Sequence, residues 1–349
     1  MGEIADRVSL WGVFGVVLLV ACAASAGLIV VLRPLLLRYA LARPNPRSSH
    51  VEPTPQGGGI AVLAATFAAT WLGVPFAMSL MPFGLHRLIV LSLAALLLAL
   101  IGAIDDIRSL PPAPRFLLQF IAVGMVIATL PDEFRVIDGI PRIVERALLL
   151  TGGVYFVNLV NFMDGLDLMT VAEVVPVAGT LAVLGWLGDS PLLPTMIAAA
   201  LAGALLGFAP FNRPVAKVFL GDVGSLPIGL VLGWGLLQLA YQHQIIAALL
   251  LPLYYLADAT LTLVLRISRG EPFWVAHRSH FYQRAIQNGF TVSHVVGEVF
   301  VLNLVLAALA IASVLANSIG WRVALLAIGA MVVALILYRF SVKKDARFG

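Results

Sequence analysis

Hydrophobic positions in this chain fall in long unbroken runs. They follow neither the alternation of a half-buried strand nor the one-sided stripe of a soluble helix. Eleven runs can be marked, at 10–32, 58–81, 88–104, 114–131, 147–163, 169–187, 192–211, 224–241, 245–265, 292–316 and 319–338. Each is close to the ~20 residues an α-helix needs to cross a bilayer. The pattern predicts an all-α, polytopic integral membrane protein of about 11 transmembrane helices, read as one transmembrane catalytic domain over residues 1–349. Proline and charge clusters mark the gaps, as in Pro111-Pro112-Ala113-Pro114 and the stretch from Arg266 to Gly289.

Composition agrees with this reading. Of the 349 residues, 61% are hydrophobic and only 11% charged, where soluble domains carry about 25% charged residues. A sizeable soluble domain is therefore excluded. Small residues around Cys22 resemble a signal-peptide cleavage site, but Glu3 and Asp6 spoil a basic leader and the apolar run continues to Leu32, so a first span is expected. Cys22 is the single cysteine, which excludes an internal disulfide and argues against a zinc cluster. No internal repeat is visible, which weakens an inverted-repeat transporter.

The placement of charge says more than the net value of +4. With eleven spans, sixteen of the 22 Lys and Arg fall on one side and six on the other. The positive-inside rule makes the richer side cytoplasmic, with the N-terminus outside and the C-terminus cytoplasmic. The cytoplasmic loops are then 33–57, 105–113, 161–168, 212–223 and 266–291, and all the conspicuous polar clusters lie in or beside them.

One cluster dominates. Asn158, Asn161, Asp164 and Asp167 crowd into ten residues otherwise made of Leu, Val, Phe, Met and Gly. Unpaired groups of this kind are costly near lipid, so they point to a wet, protein-lined site. Asp105-Asp106 ends the third run. Adjacent carboxylates repel unless a cation screens them, and Mg²⁺ takes one or two carboxylates together with substrate phosphates. The plainer alternative is an interfacial stop signal paired with Arg108. Asp222 sits between Gly221 and Gly224 at the start of a run, where it is either a site carboxylate or a helix cap. Cations around His50, followed by Gly57 and Gly58, suit phosphate held close to the backbone. Asn212, Arg213, Lys217 and Phe219 suit a nucleotide, through an amide, two cations and a stacking ring. His277, His280 and Arg284 share one face if this stretch is helical. That face suits phosphate, with zinc on the histidine pair as an alternative.

These motifs occur in the order found in the polyprenyl-phosphate N-acetylhexosamine-1-phosphate transferases, the glycosyltransferase family 4 group that includes the phospho-N-acetylmuramoyl-pentapeptide transferases. The chain resembles that family over nearly its whole length. The resemblance implies transfer of a sugar 1-phosphate from a UDP-sugar to polyprenyl (undecaprenyl) phosphate, with release of UMP. It implies Mg²⁺, with Mn²⁺ as a substitute, on Asp222 assisted by Asp105, Asp106 and Asp164. It also implies Phe219 stacked on uracil, with Asn212 and Asp167 beside it. Two departures stand out: Leu168 replaces a frequent glycine after Asp167, and the loop reads His277-Arg278-Ser279-His280 where the pentapeptide branch has three histidines. The loop is similar to that of the branch that initiates O-antigen and other surface glycans, whose donors are UDP-N-acetylhexosamines, 6-deoxy forms included. The expected location is a bacterial inner membrane with the site facing the cytoplasm, and the expected assembly includes a homodimer.

The expected chemistry is in-line attack by the lipid phosphate on the β-phosphorus of the donor, with Asp105 or Asp106 orienting that phosphate or taking its proton. A two-step route through an aspartyl-phosphate is the other option. Two competing classes are a flippase or transporter of lipid-linked sugars, suggested by Glu173, Asp258 and Glu298, and an intramembrane aspartyl protease, suggested by Leu220-Gly221-Asp222.

Overall fold

A computed structural model describes residues 2–42, 53–77, 84–137, 139–188, 191–271 and 278–343. The protein is a bundle of helices: α1 (Gly2–Tyr39), α2 (Gly58–Ala77), α3 (Gly84–Ile107), α4 (Pro112–Ala128), α5 (Arg142–Met163), α6 (Met169–Leu187), α7 (Leu192–Phe208), α8 (Asp222–Tyr241), α9 (Ile245–Leu250), α10 (Leu253–Ser268), α11 (Phe281–Gln287), α12 (Val292–Leu315) and α13 (Ile319–Ser341). Two short strands, β1 (Leu41–Ala42) and β2 (Thr54–Pro55), pair antiparallel before α2. Among the described residues, nine helices are long and apolar enough to cross a membrane, and α4 is a shorter apolar helix. This is a multi-pass membrane protein.

The helices sit where the apolar runs predict, with two differences. The run 245–265 is not one helix: it breaks after α9 and resumes at Leu253. Pro252 accounts for the break, because proline has no N–H to donate and its ring clashes with the preceding turn. Residues 278–280 are not helical either. Helix α11 starts at Phe281 with His280 as its cap, so His280 stands ahead of the helix that carries Arg284. His277 and His50 lie outside the described residues.

Large apolar side chains such as Leu19, Val31, Leu93, Leu100 and Tyr338 are exposed on the outer helices, as a lipid-facing surface requires. The core is α8. Helices α3 and α5 both pack along it, α2 touches its start, and α7 and α9 flank it. Two glycine contacts set how closely these helices approach. A Cβ on Gly59 would stand 2.2 Å from Gly224 Cα, and one on Gly102 would stand 2.3 Å from the carbonyl carbon of Asp222. Removing the side chain at Gly102 therefore lets the end of α3 touch the first residue of α8. Gly102→Ala should destabilise the protein by about 1–3 kcal/mol through overpacking. Thermal unfolding in detergent would show this, and an unchanged melting temperature would contradict the close approach.

Candidate active site

The ends of α3, α4, α5 and the start of α8 meet at one point. Helix α8 begins without a cap of its own: Gly221, at φ +77°, supplies no side chain. The cap comes from α3. Asp106 accepts the N–H of Asp222 at 2.9 Å and that of Val223 at 3.1 Å. These are donors that a helix start otherwise leaves orphaned. Gln56 also donates to Asp106, at 2.5 Å. Asp105, next in the chain, faces the other way. One oxygen accepts the N–H of Leu110 at 2.6 Å and the other takes the Arg115 guanidinium at 2.7 Å.

Arg115 is the hinge of the cluster. From the first turn of α4 it bonds Asp105, reaches Asn161 Oδ1 at 3.2 Å and faces Asp222 Oδ2 at 3.7 Å. Asn161 Nδ2 in turn donates to Asp222 Oδ1 at 2.7 Å and to Ser225 at 2.9 Å. Four helix ends are thereby tied through one guanidinium and one amide.

Asp164 caps the end of α5 and accepts from Thr170 at 2.5 Å. Burial pushes its carboxyl up to about 7, the Thr170 hydroxyl opposes the shift, and the negative charges of Asp222 and Asp167 add to it. The next turn is pinned by side chains. Leu168 takes a left-handed conformation at φ +63°, which costs an L-residue about 1–2 kcal/mol. Asn212 Oδ1 accepts its N–H at 2.7 Å and holds it there. This is the position where the resembling family often has glycine.

The polar residues singled out by sequence therefore divide. Asp105, Asp106, Asn161 and Asp222 converge, and Asp164 lies near enough to feel the charge of Asp222. Asn212 and Asp167 spend much of their bonding capacity on the protein: Asn212 Nδ2 donates to Val218 O at 3.0 Å, and Asp167 accepts from Ala216 N at 3.0 Å. Gly57 and Gly58 do not offer their N–H groups to a phosphate. Both donate to Phe219 O, at 3.1 and 2.8 Å, stitching the start of α2 to the segment before α8. The Phe219 ring stays half-buried. Asn158 lies one turn deeper in α5, where it exchanges hydrogen bonds with Gln119 of α4 and donates to Val154 O.

The loop before α12 is anchored through α10. His280 Nδ1 lies 3.2 Å from Asp258, while Arg284 lies over the Phe281 ring at 5.4 Å. Tyr282 Oη donates to Phe162 O at 2.9 Å, which brings α11 against the turn that carries Asp164.

The profile of glycosyl transferase family 4 matches residues 88–240, which run from within α3 almost to the end of α8. A decaprenyl-phosphate N-acetylglucosaminephosphotransferase of Mycobacterium leprae is 32% identical over 292 residues, covering 74% of this chain and 72% of its own. The chain belongs to glycosyl transferase family 4. A probable undecaprenyl-phosphate N-acetylglucosaminyl 1-phosphate transferase of Bacillus subtilis is 25% identical over 76% of both chains. A phospho-N-acetylmuramoyl-pentapeptide-transferase of a Wolbachia strain is 31% identical over 51% of this chain and 58% of its own. The family 4 protein is thus an enzyme, a phosphotransferase.

Among its described residues, no group of three or more His, Cys, Asp or Glu side chains is arranged to hold a metal. The donor chemistry nevertheless suits Mg²⁺, which needs only one or two carboxylates when phosphates complete its shell. Asp105 and Asp106 have both oxygens engaged by protein donors. Asp222 Oδ2 meets only Arg115, at 3.7 Å, and Asp164 accepts only from Thr170 among the described residues. Asp222 and Asp164 therefore keep the most oxygen capacity for a cation.

Sequence reasoning missed Gln56, Arg115 and Thr170 as parts of the site of this family 4 enzyme. Arg115 did carry a signal. A cation in the first turn of a helix opposes the helix dipole, so it calls for an acidic partner elsewhere. The depth of Asn158 gives a prediction. Asn158→Ala should cost about 1–3 kcal/mol by stranding Gln119, while KM for both substrates stays near wild type. A large KM change without loss of thermal stability would return Asn158 to the binding site.

Proposed function

We propose that the enzyme transfers an N-acetylhexosamine 1-phosphate from a UDP-sugar to polyprenyl phosphate, releasing UMP and leaving a polyprenyl-diphospho-sugar. The observation that carries this reading is the meeting of Asp105, Asp106, Arg115, Asn161 and Asp222 at the ends of membrane helices. Such a site can receive a water-soluble anion from one side and a lipid-borne phosphate from the other. The relatives' substrates, decaprenyl or undecaprenyl phosphate and N-acetylglucosamine phosphate, support the same classes.

In this reading the attack is in line, from the lipid phosphate on the β-phosphorus of the donor. Both reactants are anions, so the protein contributes chiefly by neutralising and aligning charge. Asp222 and Asp164 would hold Mg²⁺, which shields phosphate charge when bound. Arg115 supplies a fixed positive charge next to Asp222. Asp105 and Asp106 act as organisers: their oxygens are bonded to Arg115, Leu110, Gln56 and the start of α8, so they hold these helix ends in place. A phosphate monoester, with a second pKa near ~6, is mostly dianionic at neutral pH and needs no strong base. Phe219 stacks on the uracil, and the α11 segment with His280 and Arg284 meets the donor pyrophosphate.

We place the enzyme in a bacterial inner membrane, as a homodimer, with eleven spans counting α9 and α10 as one and the site facing the cytoplasm. Its product starts an O-antigen or related surface glycan, with a UDP-N-acetylhexosamine or its 6-deoxy form as donor. A reporter after Gly349 should read cytoplasmic and one before Met1 external, and both on one side would defeat this topology. The reaction is tested by giving purified enzyme a panel of labelled UDP-sugars with polyprenyl phosphate and Mg²⁺. A lipid-linked pyrophosphate is the expected product, and its absence across the panel would overturn the reading.

A further inference from the structure

Asp258 lies in α10 and is completely buried. A carboxylate in such a place needs several donors around it. It has them, and most come from the next helix. Oδ1 accepts the N–H of Phe281 at 3.0 Å and lies 3.2 Å from His280 Nδ1. Oδ2 accepts the N–H of Tyr282 at 3.1 Å. Thr262 at 3.3 Å and Tyr254 at 3.4 Å complete the set from within α10. His280, the cap residue of α11, makes no side-chain cap bond of its own. The carboxylate from α10 serves instead, as Asp106 serves α8.

Two consequences reach the site. A carboxylate facing Nδ1 fixes a hydrogen on that nitrogen, which sets the orientation of the ring and leaves Nε2 as its other edge. The same bonds fix Tyr282, whose hydroxyl donates to Phe162 O at 2.9 Å. Gly165 makes room for that hydroxyl, since a Cβ there would stand 2.0 Å from it. A continuous chain of contacts therefore runs from Asp258 through α11 to the residues on either side of Asp164.

We infer that Asp258 is a positioning residue for donor recognition, holding His280 and the Phe162–Gly165 turn in register with the carboxylates. The inference rests on the proposed sugar-phosphate transfer. It differs from a bulk stabilising role in that it predicts a donor-specific defect. Asp258→Asn keeps the size of the side chain but turns an amide N–H toward one set of donors.

The test compares the wild type, Asp258→Asn, Tyr282→Phe, His280→Ala and the Asp258→Asn/His280→Ala pair. Melting temperature, UDP affinity by calorimetry, and kcat and KM with donor and lipid varied in turn are measured for each. For Asp258→Asn, kcat/KM for the donor should fall ~10–100-fold, the range for losing an orienting partner. UDP should bind more weakly, and KM for the lipid should stay within a factor of about two of wild type. The double variant should be little worse than its worse parent, because both changes break one chain of contacts. Wild-type donor constants and UDP affinity in Asp258→Asn, or losses that multiply in the double variant, would overturn the inference. Should Asp258→Asn fail to fold, Tyr282→Phe carries the test: it breaks the link to Phe162, so unchanged donor constants there would also overturn it. A wild type that binds UDP but transfers no sugar phosphate would overturn the proposed reaction, while UDP affinity in the variants would still decide the role of Asp258.

Discussion

Asp222→Ala should lower turnover by on the order of 10³-fold, at the upper end of what one removed electrostatic stabiliser costs, while the protein still folds and stays in the membrane. Asp222 starts α8, yet the α8 N-terminus is capped by Asp106 through main-chain N–H groups that the substitution leaves in place. What disappears is the carboxylate bonded to Asn161 at 2.7 Å and facing Arg115 at 3.7 Å. Removing it also relieves repulsion among neighbouring carboxylates, so stability should hold or rise slightly. Steady-state kinetics beside a melting curve separate the two effects. Substantial turnover with Mg²⁺ saturating would show that Asp222 does not serve the chemical step.

Arg115→Ala should be almost as damaging, and for a different reason. The guanidinium neutralises Asp105 and joins it to Asn161 and Asp222. Breaking a fully buried ion pair by removing one partner costs roughly 3–5 kcal/mol. Side chains that are 21% and 11% exposed retain some solvent screening, so about 1–3 kcal/mol is expected here. Both melting temperature and turnover should fall, turnover by about 10²-fold. Arg115→Lys keeps the charge but cannot fork to Asp105 and Asn161 together, so it should recover stability better than activity. An Arg115→Ala enzyme with wild-type kinetics would remove Arg115 from the site.

The spans were legible because a bilayer demands long apolar runs, and little else in a sequence looks like them. The predicted runs at 58–81, 169–187 and 224–241 lie within a few residues of α2, α6 and α8. The carboxylates were legible for the complementary reason: Asp105, Asp106, Asp164 and Asp222 are costly groups at the ends of those runs. What could not be read was pairing across the fold. The cap of α8 comes from a residue 116 positions away, so the sequence offered Asp222 as its own cap and could not show that Asp106 fills that role. The N–H groups of Gly57 and Gly58 looked available to phosphate until Phe219 O, far along the chain, accepted both. Asn158 and Asn161 were indistinguishable by type. One helical turn separates the amide that meets Gln119 from the one that meets Asp222. Nearby Arg108 was only the plainer alternative partner for Asp105; the ion pair runs to Arg115, beyond the proline-rich turn. Pro252 was visible in the sequence, and its break in the ninth span follows from its missing N–H.

The central claim is that the sugar moves together with its phosphate. Donor UDP-sugar carrying ³²P at the β-position, at the α-position, or ³H in the sugar distinguishes the possible transfers directly. With polyprenyl phosphate as acceptor, β-³²P and ³H should enter the lipid in equal amounts while α-³²P leaves as UMP. Release of both phosphates as UDP with only ³H in the lipid, or no label in the lipid at all, would contradict the account.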